Sequence, residues 1–359
     1  MRPEFWKGKT VLVTGHNGFK GAWLSKWLDM LGAEVVGVSL RPDEKNEFGK
    51  LTFGEAYTDL ELDIRDPESL HIIRRYSPQL VIHLAAQAIV RTAKEYPADT
   101  FGTNVMGTVN LLEQLRDMPS VRSVVVVTSD KVYENRERAE AYTESDGLMG
   151  SEPYSCSKVA EEQVAKAYYE SYFRETGVGL ATARGSNAFG GGDYHFDRLI
   201  PYLEECACRG VAPEIRNPDA VRPWQYVLDL LAGYLTLAEF LIHKPNDAWQ
   251  SYNFGPEKSE LYTVGQMAGM ICGNAVECVS KQDFYEAGLL MIDSEKSKET
   301  LGWHPLYNVR DGLMQTGASY REYFRNGNSD RIYEDAIADY MERLERSAEI
   351  KTDAFEAAC

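Results

Sequence analysis

Short apolar runs bounded by glycine, proline and polar turn residues alternate, through the first half of the chain, with longer stretches whose apolar residues recur at helical spacing. From Thr10 the pattern reads as a strand over 10–14, a glycine-rich loop, a helix over 18–31 stopped by Gly32, and a strand over 34–39. That is a βαβ unit. The alternation continues through a strand at 80–84, a helix around 104–116 and the run Val124-Val125-Val126-Val127-Thr128. An amphipathic helix over 154–176 and a strand over 179–183 follow. Strands with almost no polar face belong to a sheet covered on both sides. The fold class expected is therefore α/β, a doubly wound parallel sheet.

Beyond Arg184 the pattern turns irregular and rich in Gly, Pro and Asn, which marks the start of a smaller substrate-binding domain. A helix over 229–242 and a strand over 251–254 look as if they return to the first unit. The expected organisation is a dinucleotide-binding domain over 1–185, rejoined by 229–255, and a substrate domain over 186–228 and 256–325. A C-terminal helix and tail occupy 326–359. In that last helix Ile337, Tyr340, Met341 and Leu344 share a face, either packed or turned to a partner.

Composition narrows the function. At 359 residues the chain can bury a sizeable core. A net charge of −17 opposes attraction to nucleic acid or anionic lipid, and no apolar run approaches the roughly 20 residues that cross a bilayer. The six cysteines include no CxxC pair and no signal-like stretch opens the chain, so reduced thiols and a cytoplasmic location are expected. Cys206 and Cys208, with His195 nearby, lack the second ligand pair of a zinc site, and no metal is expected.

The loop Gly15-His16-Asn17-Gly18-Phe19-Lys20-Gly21 lies directly after the first strand and opens the first helix. In that place Gly15 permits a tight turn, Gly18 lets backbone approach a pyrophosphate, and Gly21 lets the helix pack close, with its N-terminal N–H groups facing phosphate. Asn17 and Phe19 belong to the same cradle. The second strand ends in Val38-Ser39-Leu40-Arg41, with no acid for a ribose 2′-hydroxyl and one arginine. Taken alone these residues lean mildly toward NADP through Arg41, and the expected cofactor remains NAD with NADP not excluded.

Tyr154-Ser155-Cys156-Ser157-Lys158 is a YxxxK, a spacing that means little alone in a chain with 21 tyrosines. Its placement says more. On a helix Tyr154 and Lys158 share a face, and Thr128 ends the preceding apolar strand, where doubly wound sheets bind ligands. A lysine ammonium lowers the phenol's pKa, so that Tyr154 can take a proton from a sugar hydroxyl while Thr128 orients the oxygen. Asp130 and Lys131 follow at once. They read either as a surface ion pair or as an acid and a base facing the reacting sugar, and base work by Lys131 calls for burial and nearby cations to keep it neutral. Arg198, Arg216 and Arg222 fall within 25 residues and suit phosphate oxygens, with Trp224 to stack on or wall off a base.

The N-terminal half resembles the extended short-chain dehydrogenases, which are Rossmann enzymes. From about residue 5 to about residue 325 the chain resembles the CDP-glucose 4,6-dehydratases among the nucleotide-sugar dehydratases. The segments that carry this are Phe5-Trp6-Lys7-Gly8-Lys9, the glycine loop, His83-Leu84-Ala85-Ala86-Gln87, Thr103-Asn104-Val105-Met106-Gly107-Thr108, Thr128-Ser129-Asp130-Lys131, Gly190-Gly191-Gly192-Asp193, Arg222-Pro223-Trp224-Gln225 and Asn253-Phe254-Gly255-Pro256. The resemblance implies a nucleotide-sugar substrate with Asn187 on its diphosphate, and adenine contacts from Asp63 and Ile64, with Ala85 and Ala86 also lining the cofactor. It also implies a homodimer through the helices at 104–116 and 154–176. The implied chemistry has Tyr154 deprotonating the 4-hydroxyl, Lys131 taking the C5 proton and Asp130 protonating the departing 6-hydroxyl. Other nucleotide sugars, epimerisation, decarboxylation or nucleotide sensing without turnover are the alternatives. Departures from the family at Gly185-Ser186, Tyr194 and Ala88-Ile89, and a shortened stretch before Glu286-Ala287, all fall near the expected sugar pocket.

Overall fold

The computed structural model describes residues 1–42, 48–195, 198–245, 248–273, 277–278 and 288–358; the stretch before Glu286-Ala287 lies outside them. Among the described residues seven strands form the central sheet: β1 (Thr10–Thr14), β2 (Glu34–Ser39), β3 (Thr58–Glu61), β4 (Leu80–His83), β5 (Ser123–Ser129), β6 (Gly179–Gly185) and β7 (Gln250–Phe254). Their order is β7-β6-β5-β4-β1-β2-β3, and every pairing is parallel. The chain starts mid-sheet, winds out through β2 and β3, then crosses back to β4. This reversal opens a crevice above the C-terminal ends of β1 and β4, where ligands bind in such folds.

Alternation along β5 shows why the strand has no polar face. Val125 and Val127 enter the core shared with the tryptophans of helix α1 (Phe19–Met30), whereas Val124 and Val126 enter the core shared with Leu111 and Leu112 of helix α2 (Gly107–Leu115). Two further helices complete the layers. Helix α3 (Pro153–Tyr168) is started by Pro153 and by Glu152, whose carboxylate accepts the N–H groups of Tyr154 and Ser155. Helix α4 (Val227–His243) is buried on almost every side and precedes β7, which pairs with β6 from Gln250↔Ala181 to Phe254↔Gly185.

The terminal helix α5 (Asp330–Ala358) packs its first turns onto α1, with Tyr333 against Trp23 and Tyr340 against Trp27 at ring-centroid distances of 4.5 and 5.2 Å. Asp330 holds it there by pairing with Lys26. The Tyr340 hydroxyl and the Leu306 and Tyr307 N–H groups all donate to the buried Asp229 carboxylate. Among the described residues no helix is long and apolar enough to cross a membrane.

The crevice is pinned by a buried histidine. His83, at the end of β4, bridges the Thr14 hydroxyl through Nδ1 (2.6 Å) and the Thr108 hydroxyl through Nε2 (2.9 Å). Burial, aided by the Lys158 cation, lowers its pKa from 6.5 to about 3. The unfolded chain therefore binds the proton first, and this contribution to stability is present above about pH 6.5 and lost progressively as the pH falls toward 3. His83→Gln should flatten the acid slope of stability across that interval, read from urea midpoints. An unchanged slope would show that His83 does not set it.

Candidate active site

Backbone geometry builds the phosphate cradle. Gly15 sits at φ +72°, and a Cβ there would lie 2.7 Å from the Ala85 nitrogen; one on Gly21 would lie 2.0 Å from the Gly15 carbonyl oxygen. Gly18 differs, since a Cβ would meet only that oxygen at 3.4 Å. Packing does not demand glycine there, and the face is left clear for a phosphate at the start of α1. Asn17 donates to the Leu40 carbonyl at 2.7 Å, which ties the loop to the end of β2. The Asp63 carboxylate accepts from the backbone and guanidinium of Arg65, which hold its pKa below the usual value.

A single cleft of about 1990 Å³ runs from this loop past the ends of β4, β5 and β6. Gly15, Asn17, Gly18, Phe19, Gly21, Asp63, Ile64, Ala85 and Ala86 line one end, and Thr128, Asp130, Lys131, Tyr154 and Lys158 the middle. Asn187, Arg198, Arg216, Arg222 and Trp224 line the other end. Arg41 is not among the lining residues and stands exposed. The loop, the catalytic residues and the arginines were read from distant parts of the chain, and the fold brings them to one groove.

Lys158 is 3% exposed; its ammonium donates to the Val127 carbonyl at 3.1 Å and pairs with Glu161 at 2.7 Å. Burial lifts the Tyr154 phenol above its ordinary pKa, while the Lys158 charge and the nearby Ser129 hydroxyl pull it down. Here the structure corrects the sequence reading. The Thr128 hydroxyl is taken by Glu162, to which it donates at 2.6 Å, and the next hydroxyl of the strand, Ser129, lines the cleft and donates to Asp130 at 3.0 Å. Successive residues of a strand point to opposite faces, so the two hydroxyls cannot both serve the phenol. That alternation was the available signal.

Asp130 is 2% exposed, and burial raises its pKa, which favours the proton-bearing form of an acid. Its Oδ1 accepts from Ser129 at 3.0 Å, while Oδ2 is buried with no hydrogen-bond partner among the described residues. Lys131 is exposed, contrary to the burial expected of it, because it lies in the short turn after β5. Its ammonium stands 5.9 Å from the centre of the Tyr154 ring.

At the substrate end Asn187 begins a short strand paired with Trp224. The Trp224 indole is buried and donates to the Tyr262 carbonyl at 3.0 Å, so it forms wall more than stacking platform. Arg198 is paired with Asp193 at 3.0 Å, and Arg222 donates to the Val221 carbonyl. Tyr194 packs on Tyr323 and donates to Asn328, outside the cleft lining, whereas Ala88, Ile89, Gly185 and Ser186 line it. Eight lysines and arginines line the cleft against five carboxylates, the reverse of the whole chain's 38 against 55. The groove is built for an anion.

Three residues to which the sequence reading gave no role belong to this site. Ser129 is the first. Lys20 is half-buried near Arg198, Lys158 and Asp130, and desolvation lowers it to about 8. Glu161 is buried beside Lys158, and burial raises it to about 7. Neither charge is visible as buried from spacing alone.

Among the residues present, the glycine cradle, the clear face at Gly18 and the cation of Lys158 fit a dinucleotide. The chain is similar, at 38% identity over 355 residues, to a CDP-glucose 4,6-dehydratase of Salmonella typhimurium, covering 96% of this chain and 99% of that one. An epimerase of Methanothermobacter thermautotrophicus has the same fold, with a TM-score of 0.80 at 23% identity over 90% of this chain and 95% of that one. So does a dTDP-glucose 4,6-dehydratase of Bacillus anthracis solved with NAD, with a TM-score of 0.74 at 24% identity over 89% and 97%. The model of the NAD dependent epimerase/dehydratase family matches residues 11–255, and the chain belongs to that family, with NAD as its cofactor.

Proposed function

We propose that this protein removes water from CDP-glucose to give the 4-keto-6-deoxy sugar nucleotide. The observation that carries the reading is the Ser129-Asp130-Lys131 turn, which sets an acid and a base beside Tyr154 and Lys158 in one cleft. Simple epimerisation needs the tyrosine and cofactor but has no use for that pair. Similarity to the Salmonella enzyme named for CDP-glucose supports cytidine as the base.

NAD, when bound, supplies the acceptor for hydride from C4 and returns it to C6. Tyr154 takes the proton of the 4-hydroxyl, with Lys158 favouring the phenolate. The ketone so formed acidifies C5, whose proton Lys131 removes. Asp130, whose burial favours the protonated carboxyl, gives a proton to the departing 6-hydroxyl. Arg198, Arg216, Arg222 and Asn187 hold the diphosphate.

The same reading divides the chain into a dinucleotide domain over 1–185 with 229–255, a substrate domain over 186–228 and 256–325, and a C-terminal helix and tail over 326–359. Cys156, Cys206, Cys208 and Cys272 are free thiols, as befits a cytoplasmic enzyme. A homodimer through the helices at 104–116 and 154–176 accounts for the exposed Met106 and Tyr172 along them. Light scattering at micromolar concentration should give twice the chain mass, and a monomer would end that part of the proposal.

Incubated with NAD and CDP-glucose, the protein should lower the sugar's mass by one water with no net reduction of NAD. Lys131→Met should lower kcat by roughly 10²–10⁴-fold and abolish exchange of the C5 hydrogen with solvent. Inertness toward CDP-, UDP-, dTDP- and GDP-glucose would refute the reading, and an active Lys131→Met would remove Lys131 from it.

A further inference from the structure

Glu161 and Glu162 are neighbours on α3, yet the structure uses them differently. Glu162 is engaged by the Arg184 guanidinium and by the hydroxyls of Thr128 and Thr182, which tie three elements together. Glu161 is 0% exposed and pairs with the Lys158 ammonium at 2.7 Å. His83 stands 3.9 Å away but is neutral, since burial keeps its pKa near 3. A buried pair of this kind is weak evidence for stability, because apolar residues of the same volume often serve as well or better. Its use is to be sought in the cleft above it.

The middle of that cleft is rich in cations. Lys20, Lys131 and Lys158 line it, and Asp130, the carboxyl beside them, is 2% exposed, so that its neutral form is favoured. The nicotinamide ring of NAD is positively charged when oxidised and uncharged when reduced. Hydride and proton leave one H–C–O–H unit of the sugar, so the ring that takes the hydride and the phenol that takes the proton meet the same carbinol. Lys158, one helical turn from Tyr154, then sets a cation near a cationic ring. The Glu161 carboxylate beneath it offsets that repulsion, and in a buried site the offset is only weakly screened.

We propose that Glu161 is the counter-charge that lets the site hold the oxidised cofactor beside Lys158, and so sets the balance between NAD and NADH. As the sugar C4–H and O–H bonds break and the ketone forms, the hydride's two electrons cancel the charge of the ring and the proton goes to Tyr154. The carboxylate opposes that loss of charge and favours return of the hydride to C6, so that the cofactor ends each cycle oxidised. The inference rests on Tyr154 and Lys158 acting as proposed above.

The test is the Kd for NAD and for NADH, measured by calorimetry on the full chain without sugar, at a pH above the value of about 7 to which burial raises Glu161. In Glu161→Gln the ratio of the NAD Kd to the NADH Kd should rise by roughly tenfold. Glu161→Asp, which keeps the charge, should stay near the unsubstituted ratio. Lys158→Met should move the ratio the other way, and Lys158→Met combined with Glu161→Gln, which leaves no unpaired charge, should bring it back. Equal weakening of both forms in Glu161→Gln would give the carboxylate a packing role only and overturn the proposal. A ratio unmoved by Lys158→Met would overturn it too, since the pair would not then face the ring. Should Glu161→Gln fail to fold, the double variant set against Lys158→Met makes the same comparison, and equal ratios in those two would refute the counter-charge. Inertness toward CDP-glucose alongside the expected ratios would instead sink the functional reading and leave the counter-charge standing.

Discussion

Two consecutive buried carboxylates, Glu161 and Glu162, fix what reacts. Glu161 holds the Lys158 ammonium at 2.7 Å, under the cleft floor. Glu162 takes the Arg184 guanidinium through both its oxygens, at 3.0 and 2.9 Å, and accepts from Thr128 and Thr182 as well. Helix α3 is thereby tied to the ends of β5 and β6, and with them the turn that carries Ser129, Asp130 and Lys131. Arg184 extends the network to the Tyr133 hydroxyl, which donates to Asn253 of β7. Removing one partner of such a buried pair costs about 3–5 kcal/mol, because a charge is left without its complement. The Glu162 network gives the site its rigidity, and the Glu161 pair gives it a cation that cannot drift from the phenol.

The central sheet was legible because its cause is local. Strands buried on both faces carry apolar residues on both, as Val124 to Val127 of β5 do. The glycine loop was equally legible, since Gly15 and Gly21 answer to backbone clashes that no other residue relieves. What escaped the sequence depends on the third dimension. Thr128 and Ser129 are neighbours with equivalent chemistry, and only the presence of Glu162 across the strand decides which hydroxyl is taken. Lys131 was expected to be buried, but the tight turn after β5 carries it out of the core. Arg41 follows β2 as a cofactor contact would, yet its side chain leaves the groove.

Charge has two scales in this molecule. The acidic surface is a bulk property spread over many positions, whereas the cleft gathers cations from α1, the turn after β5, α3 and the segments after β6. Local field outweighs net charge within a groove because low-dielectric walls limit screening. This concentration of cations suits a diphosphate at one end and a phenolate at the centre. The central claim is that one cleft oxidises C4 and reduces C6 of the same sugar. The direct measurement is the fate of label from CDP-glucose deuterated at C4, mixed with unlabelled substrate. The account predicts deuterium at C6 of the same molecules; label lost to solvent, or scattered onto molecules that began without it, would contradict it.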